Sequence, residues 1–310
     1  MEKFGTEEYF ELQKINDNTY SSKKLLPNTV NSTTVYGGLL FAQSLAAAEF
    51  TVPKTLRVNS LHSLFVSAAV INEPVTYRVN VLRDGKSFCS RLVQAEQHGS
   101  IVFSCQISFH KEEEPAIQHQ IHMPSVPKPE DCMELYAGME RIVKSHESGD
   151  KLVDPSRISR LKQHLSCTKE AQKALFEMRP VNIEEFLSCK PNSGESLVWF
   201  KCKTALPADS LLHRLLLVYN TDSTLAGTPV RYHQSRGFVP SQVFSLDHSA
   251  WLHNHNFRVD EWILYKTVSI VADGGRALTS GYMWTIDGNL ICSTIQECLV
   301  RTRLGRSVIT

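Results

Sequence analysis

The stretch Asp273–Val300 has an earlier twin at Asp84–His110. Both open with Asp-Gly, and an offset of 189 residues carries Asp84 onto Asp273 and Gly99 onto Gly288 without gaps. Each copy reads as two strands joined by a tight turn, at Gly99 or at Asp287-Gly288, since Asp-Gly is a strong hairpin signal. After the first turn, Ile101, Phe103, Cys105, Ile107 and Phe109 alternate with Val102, Ser104, Gln106 and Ser108, which is strand periodicity. The corresponding face of the second copy is Leu290, Cys292, Thr294, Gln296 and Cys298. Gln296 thus stands where the first copy has apolar Ile107. A polar side chain on a face meant for burial must find partners or cost stability.

A chain of 310 residues is long enough for two such units. Its net charge of +1 supplies no basic field for nucleic acid and no acidic tail for a basic partner. The longest apolar runs, Leu39–Ala42 and Leu215–Val218, are far too short for a membrane span, and the charged start MEKFGTEEYFELQKIND predicts no signal peptide. Eight cysteines without a C-x-x-C pair are expected to be buried free thiols of an intracellular chain.

Residues Phe4–Ser22 suggest one or two strands. Gly37-Gly38 then opens a segment, Leu39–Phe50, that is apolar nearly all round, so a helix there must be surrounded by protein. Strand-like segments follow at Leu56–Val66, Pro74–Leu82, Ser87–Glu96 and Ile101–His110. Residues 111–130 carry four prolines and a Glu run and read as a semi-rigid linker. Asp131–Gln163 reads as a solvated helical insertion on it. The pattern then repeats. Phe176–Glu184 and Leu197–Lys203 are strand-like, Asp209–Tyr219 is a second apolar helix with Asp209 or Ser210 as N-cap, and Val243–Trp251, Trp262–Val271, Arg276–Ile286 and Asn289–Arg301 are strands. Leu61-His62-Ser63 also matches Asp247-His248-Ser249. One helix wrapped by an antiparallel meander, present twice, is the simplest account.

In the second half three polar residues break the pattern: Asp222 past the apolar helix, Ser245 in a strand, and Gln296. A carboxylate, a hydroxyl and an amide can together hold one water, with the carboxylate accepting its proton. A cap, a turn and ordinary buried hydrogen bonds would explain the same residues. G-x-S-x-G, the phosphate-loop pattern and G-x-G-x-x-G are all absent from the sequence. His253-Asn-His255 and His119-x-x-His122 lack the further ligands a metal site needs. His248 beside Asp247 reads as a structural histidine.

The segments Val35-Tyr-Gly-Gly-Leu-Leu-Phe-Ala-Gln-Ser-Leu, Leu61-His-Ser-Leu-Phe, Ser245-Leu-Asp-His-Ser-Ala-Trp-Leu-His, Asp260-Glu-Trp-Ile-Leu-Tyr and Ser293-Thr-Ile-Gln-Glu resemble the type II (TesB-type) acyl-CoA thioesterases. The resemblance implies an α+β double hotdog: an N-terminal unit over 1–115, a linker with helical insertion over 116–169, and a C-terminal unit over 170–310. It implies hydrolysis of fatty acyl-CoA thioesters to fatty acid and CoA by an activated water, with no cofactor and no metal. The family's Asp, Ser/Thr and Gln fall on Asp222, Ser245 and Gln296, and the backbone at Gly37 and Gly38 is the candidate to bind the thioester oxygen. Arg231, Arg236, Arg258 and Lys266 are candidates for a CoA-binding rim. A hotdog enoyl-CoA hydratase and a non-catalytic acyl-CoA sensor are the alternatives; Asp222-Ser-Thr-Leu-Ala-Gly-Thr lacks the hydratase pattern. A homodimer or higher oligomer is expected from exposed sheet edges. The peroxisomal matrix is expected from the family, whereas the ending Val308-Ile309-Thr310 is not a peroxisomal tripeptide and leaves the cytosol open.

Overall fold

The run after Gly37-Gly38 forms helix α1 (Gly37–Glu49), and every residue from Gly38 to Ala48 is buried. Burying Leu39, Phe41 and Leu45 is worth about 1.5–3 kcal/mol each, and a helix apolar all round can do this only inside a curled sheet. Gln43, the one large polar residue of the buried run, is satisfied there: it accepts from Tyr77 Oη at 2.6 Å and donates to the Tyr9 and Lys24 carbonyls at 2.7 and 3.1 Å. In this computed structural model the described residues are 6–28, 32–150, 153–166, 175–208, 211–305 and 307–309.

Around α1 run β1 (Leu12–Asn16), β2 (Thr19–Ser22), β3 (Leu56–Phe65), β4 (Thr76–Asp84), β5 (Phe88–Gln97) and β6 (Ser100–Lys111). The linker leads to α2 (Leu135–Glu147) and α3 (Pro155–Ser166). The second half comprises β7 (Phe176–Pro180), the short α4 (Ile183–Phe186), β8 (Glu195–Cys202), the second core helix α5 (Leu211–Thr221), α6 (Gly227–Gln234), β9 (Gln242–Ser245), β10 (Asp247–Leu252), β11 (Ile263–Asp273), β12 (Arg276–Thr285) and β13 (Leu290–Arg301). The expected N-caps of α5, Asp209 and Ser210, lie outside the described residues.

The strand order is β1-β2-β4-β5-β6-β3-β10-β13-β12-β11-β8-β7. Read outward from the β3–β10 seam, the two halves list their strands in the same sequence. That is the expected duplication, closed into one antiparallel sheet around two helices. The twin fragments meet at the seam, where His62 lies opposite Ser249 and Ser63 opposite His248.

Four details differ from the sequence reading. Val243–Trp251 is two strands, because Leu246 leaves the ladder between Ser245 and Asp247 while its N–H bonds the Glu297 carbonyl at 2.9 Å. β7 stops at Pro180, on an outer strand of the sheet where proline is tolerated, and Asn182 then caps a helical turn. The insertion is more than a solvated connector: Met139, Ile142, Val143, Ile158 and Leu161 bury a common face with Ile183 and Leu187.

The twin hairpins also differ in length. The first turn is two residues, His98-Gly99, both with positive φ. The second is one residue longer, closed by Thr285 N to Asn289 O and Gly288 N to Thr285 O, each at 2.9 Å. β6 and β13 therefore correspond at an offset of 189, but β5 and β12 at 188. In register, Arg91 opposes Ile107 and Thr279 opposes Gln296. A one-residue slip exchanges the two faces of a strand, so Thr279, which the gapless alignment pairs with half-buried Ser90, in fact corresponds to fully buried Arg91.

Candidate active site

The start of α1 meets the end of α5 at the centre of the molecule. The contact is so close that a Cβ at Gly38 would lie 2.3 Å from the Tyr219 carbonyl oxygen, and one at Gly37 would lie 2.9 Å from Asp222 Oδ2. Only glycine lets the two helix ends approach this far. Asp222, the first residue after α5, is thereby brought to the N-terminus of α1, with the Gly38 N–H directed at its carboxylate. The Tyr36 hydroxyl ties the same junction by donating to the Tyr219 carbonyl at 3.3 Å.

From β13, Gln296 reaches across. Its Nε2 donates to Asp222 Oδ1 at 2.6 Å and to Ser245 Oγ at 3.1 Å. The structure thus brings together the three polar residues singled out in the sequence, and the Gly37-Gly38 backbone stands on the other side of Asp222. Both amide hydrogens of Gln296 are used on protein groups, while its Oε1 is buried with no hydrogen-bond partner among the described residues. Burial pushes the Asp222 carboxyl up to about 6; the Gln296 and Gly38 hydrogen bonds act in the opposite direction and are outweighed. A carboxylate poised near neutrality can take a proton from water and return it.

Beneath the site a hydrogen-bonded floor fixes the last turn of α5. Tyr265 Oη donates to the Thr221 carbonyl at 2.7 Å, satisfying a helix-end acceptor. Thr221 Oγ1 donates to the Val218 carbonyl at 2.6 Å, so the His248 ring supplies the proton in their 2.8 Å contact. His248 is fully buried, which lowers its pKa to about 3 and keeps it neutral. The Asp247 carboxylate accepts from the Glu297 N–H at 2.9 Å. Thr221 and Glu297 thus hold these two side chains, while His248 packs edge-on against Phe41 and its Nδ1 is buried without a hydrogen-bond partner among the described residues.

The proposed rim residues are engaged elsewhere. Arg231 donates to the Thr224 carbonyl and to Thr228 Oγ1, each at 3.1 Å, and lies over the Phe186 ring; desolvation lowers its pKa to about 10. Arg258 binds Asp260 and the Leu206 carbonyl, Lys266 pairs with Glu195 at 3.2 Å, and Arg236 donates to the Tyr232 and Asn192 carbonyls.

Beside the polar cluster, a cavity of about 700 Å³ runs under α6, with Val230, Phe238, Ile270, Ala277, Val300 and Ile309 in its wall. Ala277 lies two residues from Thr279 along β12, and Val300 four residues from Gln296 along β13, each on the same strand face. The pseudo-equivalent position in the first half is filled instead. Arg91, 1 % exposed, donates to Thr51 Oγ1 and to the Thr51 carbonyl, both at 2.8 Å, and pairs with Asp84 at 2.7 Å. Where the second half has Thr279, the first thus has a guanidinium.

A duplicated helix-in-sheet unit with a carboxylate, an amide and a hydroxyl gathered between its halves defines a double-hotdog hydrolase architecture. Residues 166–299 match the acyl-CoA thioesterase family model, and residues 26–110 match that of the acyl-CoA thioesterase N-terminal domain. The chain is 33% identical to acyl-coenzyme A thioesterase 8 of Mus musculus, covering 87% of this chain and 81% of that protein. It is 30% identical to acyl-CoA thioesterase 2 of Haemophilus influenzae over 86% and 87% of the two chains. Among solved structures it resembles the acyl-CoA thioesterase II TesB2 of Mycobacterium marinum, with 32% identity, a TM-score of 0.74, and coverage of 97% and 100%. The chain belongs to the acyl-CoA thioesterase family, and it is an acyl-CoA thioester hydrolase.

Proposed function

We propose that Asp222, Ser245 and Gln296 carry the hydrolysis, with Asp222 as general base toward a single water. The observation that carries this reading is the Gln296 amide, which bonds the Asp222 and Ser245 side chains at once, against a carboxyl raised to about 6. The water oxygen attacks the thioester carbonyl carbon as Asp222 takes one of its protons. The carbon–sulfur bond then breaks, and the departing CoA sulfur receives that proton, leaving free acid and CoA thiol. Ser245, which accepts from Gln296, keeps its own proton for the substrate side. The Gly37 and Gly38 backbone at the α1 N-terminus offers N–H dipoles for the thioester oxygen. The fatty acyl chain occupies the cavity under α6, whose wall mixes Val230, Phe238, Ile270 and Val300 with His233, Asp273 and Arg276.

A thiol-release assay with a series of acyl-CoA esters tests this. Asp222→Asn is expected to lose roughly 10²–10⁴-fold in kcat, the usual worth of a positioned general base, with KM little changed. Saturable acyl-CoA binding without thiol release in the wild-type chain would instead favour a sensor.

Two coarser expectations stand with it. The chain assembles as a homodimer or higher oligomer, which light scattering on the purified protein would test; a monomeric mass removes it. It works in the peroxisomal matrix, as the name of a 25% identical relative, peroxisomal acyl-coenzyme A thioester hydrolase 1 of Saccharomyces cerevisiae, suggests; a tagged chain that stays cytosolic would refute this.

A further inference from the structure

Thr279 and Gln296 lie directly opposite each other on β12 and β13, and each is 1 % exposed. Thr279 Oγ1 and Gln296 Oε1 are both without a hydrogen-bond partner among the described residues, and they do not bond each other. Buried polar atoms are rarely left this way. Two such atoms on neighbouring side chains of one face mark a place where a third group belongs. The twin half shows the contrast. There the opposed pair is Arg91 and Ile107, and Arg91 is fully engaged with Thr51 and with the Arg83 and Ser90 carbonyls. The unpartnered pair at Thr279 and Gln296 is therefore particular to the half that carries Asp222.

The chemistry of the two atoms fixes what fits. Gln296 Oε1, an amide oxygen, can only accept a hydrogen bond, and both Nε2 hydrogens already go to Asp222 and Ser245. The Thr279 hydroxyl can donate one. A water satisfies both: one of its protons goes to Gln296 Oε1, the other to Asp222, and one lone pair accepts from Thr279. The remaining lone pair is left for the carbonyl carbon. We infer that Thr279 is a third protein contact of the attacking water, donating a hydrogen bond to the water that Gln296 Oε1 orients and Asp222 deprotonates. This rests on the hydrolytic reading above. It assigns Gln296 two separate duties, its nitrogen to Asp222 and Ser245 and its oxygen to the water. The plainer account is that Thr279 is a β-branched residue filling a strand, for which valine would serve equally well.

Thr279→Val exchanges the hydroxyl for a methyl at constant shape. Its kcat on an acyl-CoA substrate is expected to fall at least ~10-fold, equivalent to about 1.4 kcal/mol of barrier. KM should stay within about twofold, and the melting temperature should not fall, because the hydroxyl removed bonds no protein group among the described residues. Thr279→Ser keeps the donor and should bring kcat back to within about threefold of wild type. In the Thr279→Val/Gln296→Leu pair, the combined loss should be smaller than the product of the separate losses, since both contacts belong to one water. Wild-type kcat in Thr279→Val overturns the inference. So does a Ser variant as slow as the Val variant, or a rate loss that tracks a lowered melting temperature. Wild-type turnover in Asp222→Asn would overturn the hydrolytic reading and this inference together, whereas a slow Asp222→Asn with a normal Thr279→Val removes Thr279 alone.

Discussion

At the scale of single residues, the site is governed by what burial does to one carboxyl. Asp222 has its pKa raised to about 6 because desolvation outweighs the Gln296 and Gly38 hydrogen bonds. A folded-state value above the unfolded one means that ionised Asp222 costs stability. The penalty is fully present above pH 6 and is relieved as pH falls through 6 toward 4. Its size is about 3 kcal/mol. With Asp222 as the proposed general base, activity would need the ionised form, so rate and stability should move in opposite directions across the same window. The expected kcat/KM profile has an acid limb near pH 6, while the melting temperature at pH 7–8 rises in Asp222→Asn. Gln296→Leu removes a bond that holds the carboxyl down and should move the acid limb upward as well as slowing turnover. A rate profile flat from pH 5 to 8 would separate Asp222 from proton transfer.

At the scale of elements, the molecule is read best where periodicity is uninterrupted. The nearly all-apolar composition of Leu39–Phe50 pointed to a buried helix, and the alternation after Gly99 to a strand. Gln296 was legible for the same reason, as a polar residue on a face whose twin holds Ile107. Thr279 was not legible. The second hairpin is one residue longer than the first, so a gapless alignment assigns Thr279 the outward position of Ser90. The unequal turns hold the signal that would have found it: two positive-φ residues at His98-Gly99 against the longer Thr285–Asn289 loop. The break at Leu246 was hidden too, since a one-residue departure from a ladder leaves alternation intact on either side. The helix crossing makes its own prediction. With Tyr219 O only 2.3 Å from a Cβ at Gly38, Gly38→Ala must push the start of α1 away from α5. The expected cost is about 1–3 kcal/mol, typical of overpacking, read as a lower melting temperature. Activity should fall further than stability alone explains, because Gly38 also faces Asp222. A variant with the wild-type melting temperature would mean that the two helices are not locked together at this point.

At the scale of the whole molecule, duplication supplies two equivalent positions, and the proposed site uses one. Arg91 occupies the position equivalent to Thr279, and the second half retains both the polar cluster and the cavity under α6. If that cavity takes the acyl chain, substrate preference follows from how many methylenes it buries. Each buried CH₂ is worth about 0.8 kcal/mol, or roughly fourfold in kcat/KM. The rate constant should therefore climb steeply with chain length until the cavity is full and then level off. Val300 is partly exposed and stands in the wall, four residues from Gln296 along β13. Val300→Trp should bring the plateau to a shorter chain, lowering kcat/KM for long-chain esters at least ~10-fold while leaving the shortest esters within about threefold. The comparison across chain lengths is what decides the matter, since a disturbed strand or a blocked CoA arm would slow every ester alike. An unchanged profile in the Trp variant would move the acyl chain out of this cavity and leave the catalytic assignment standing.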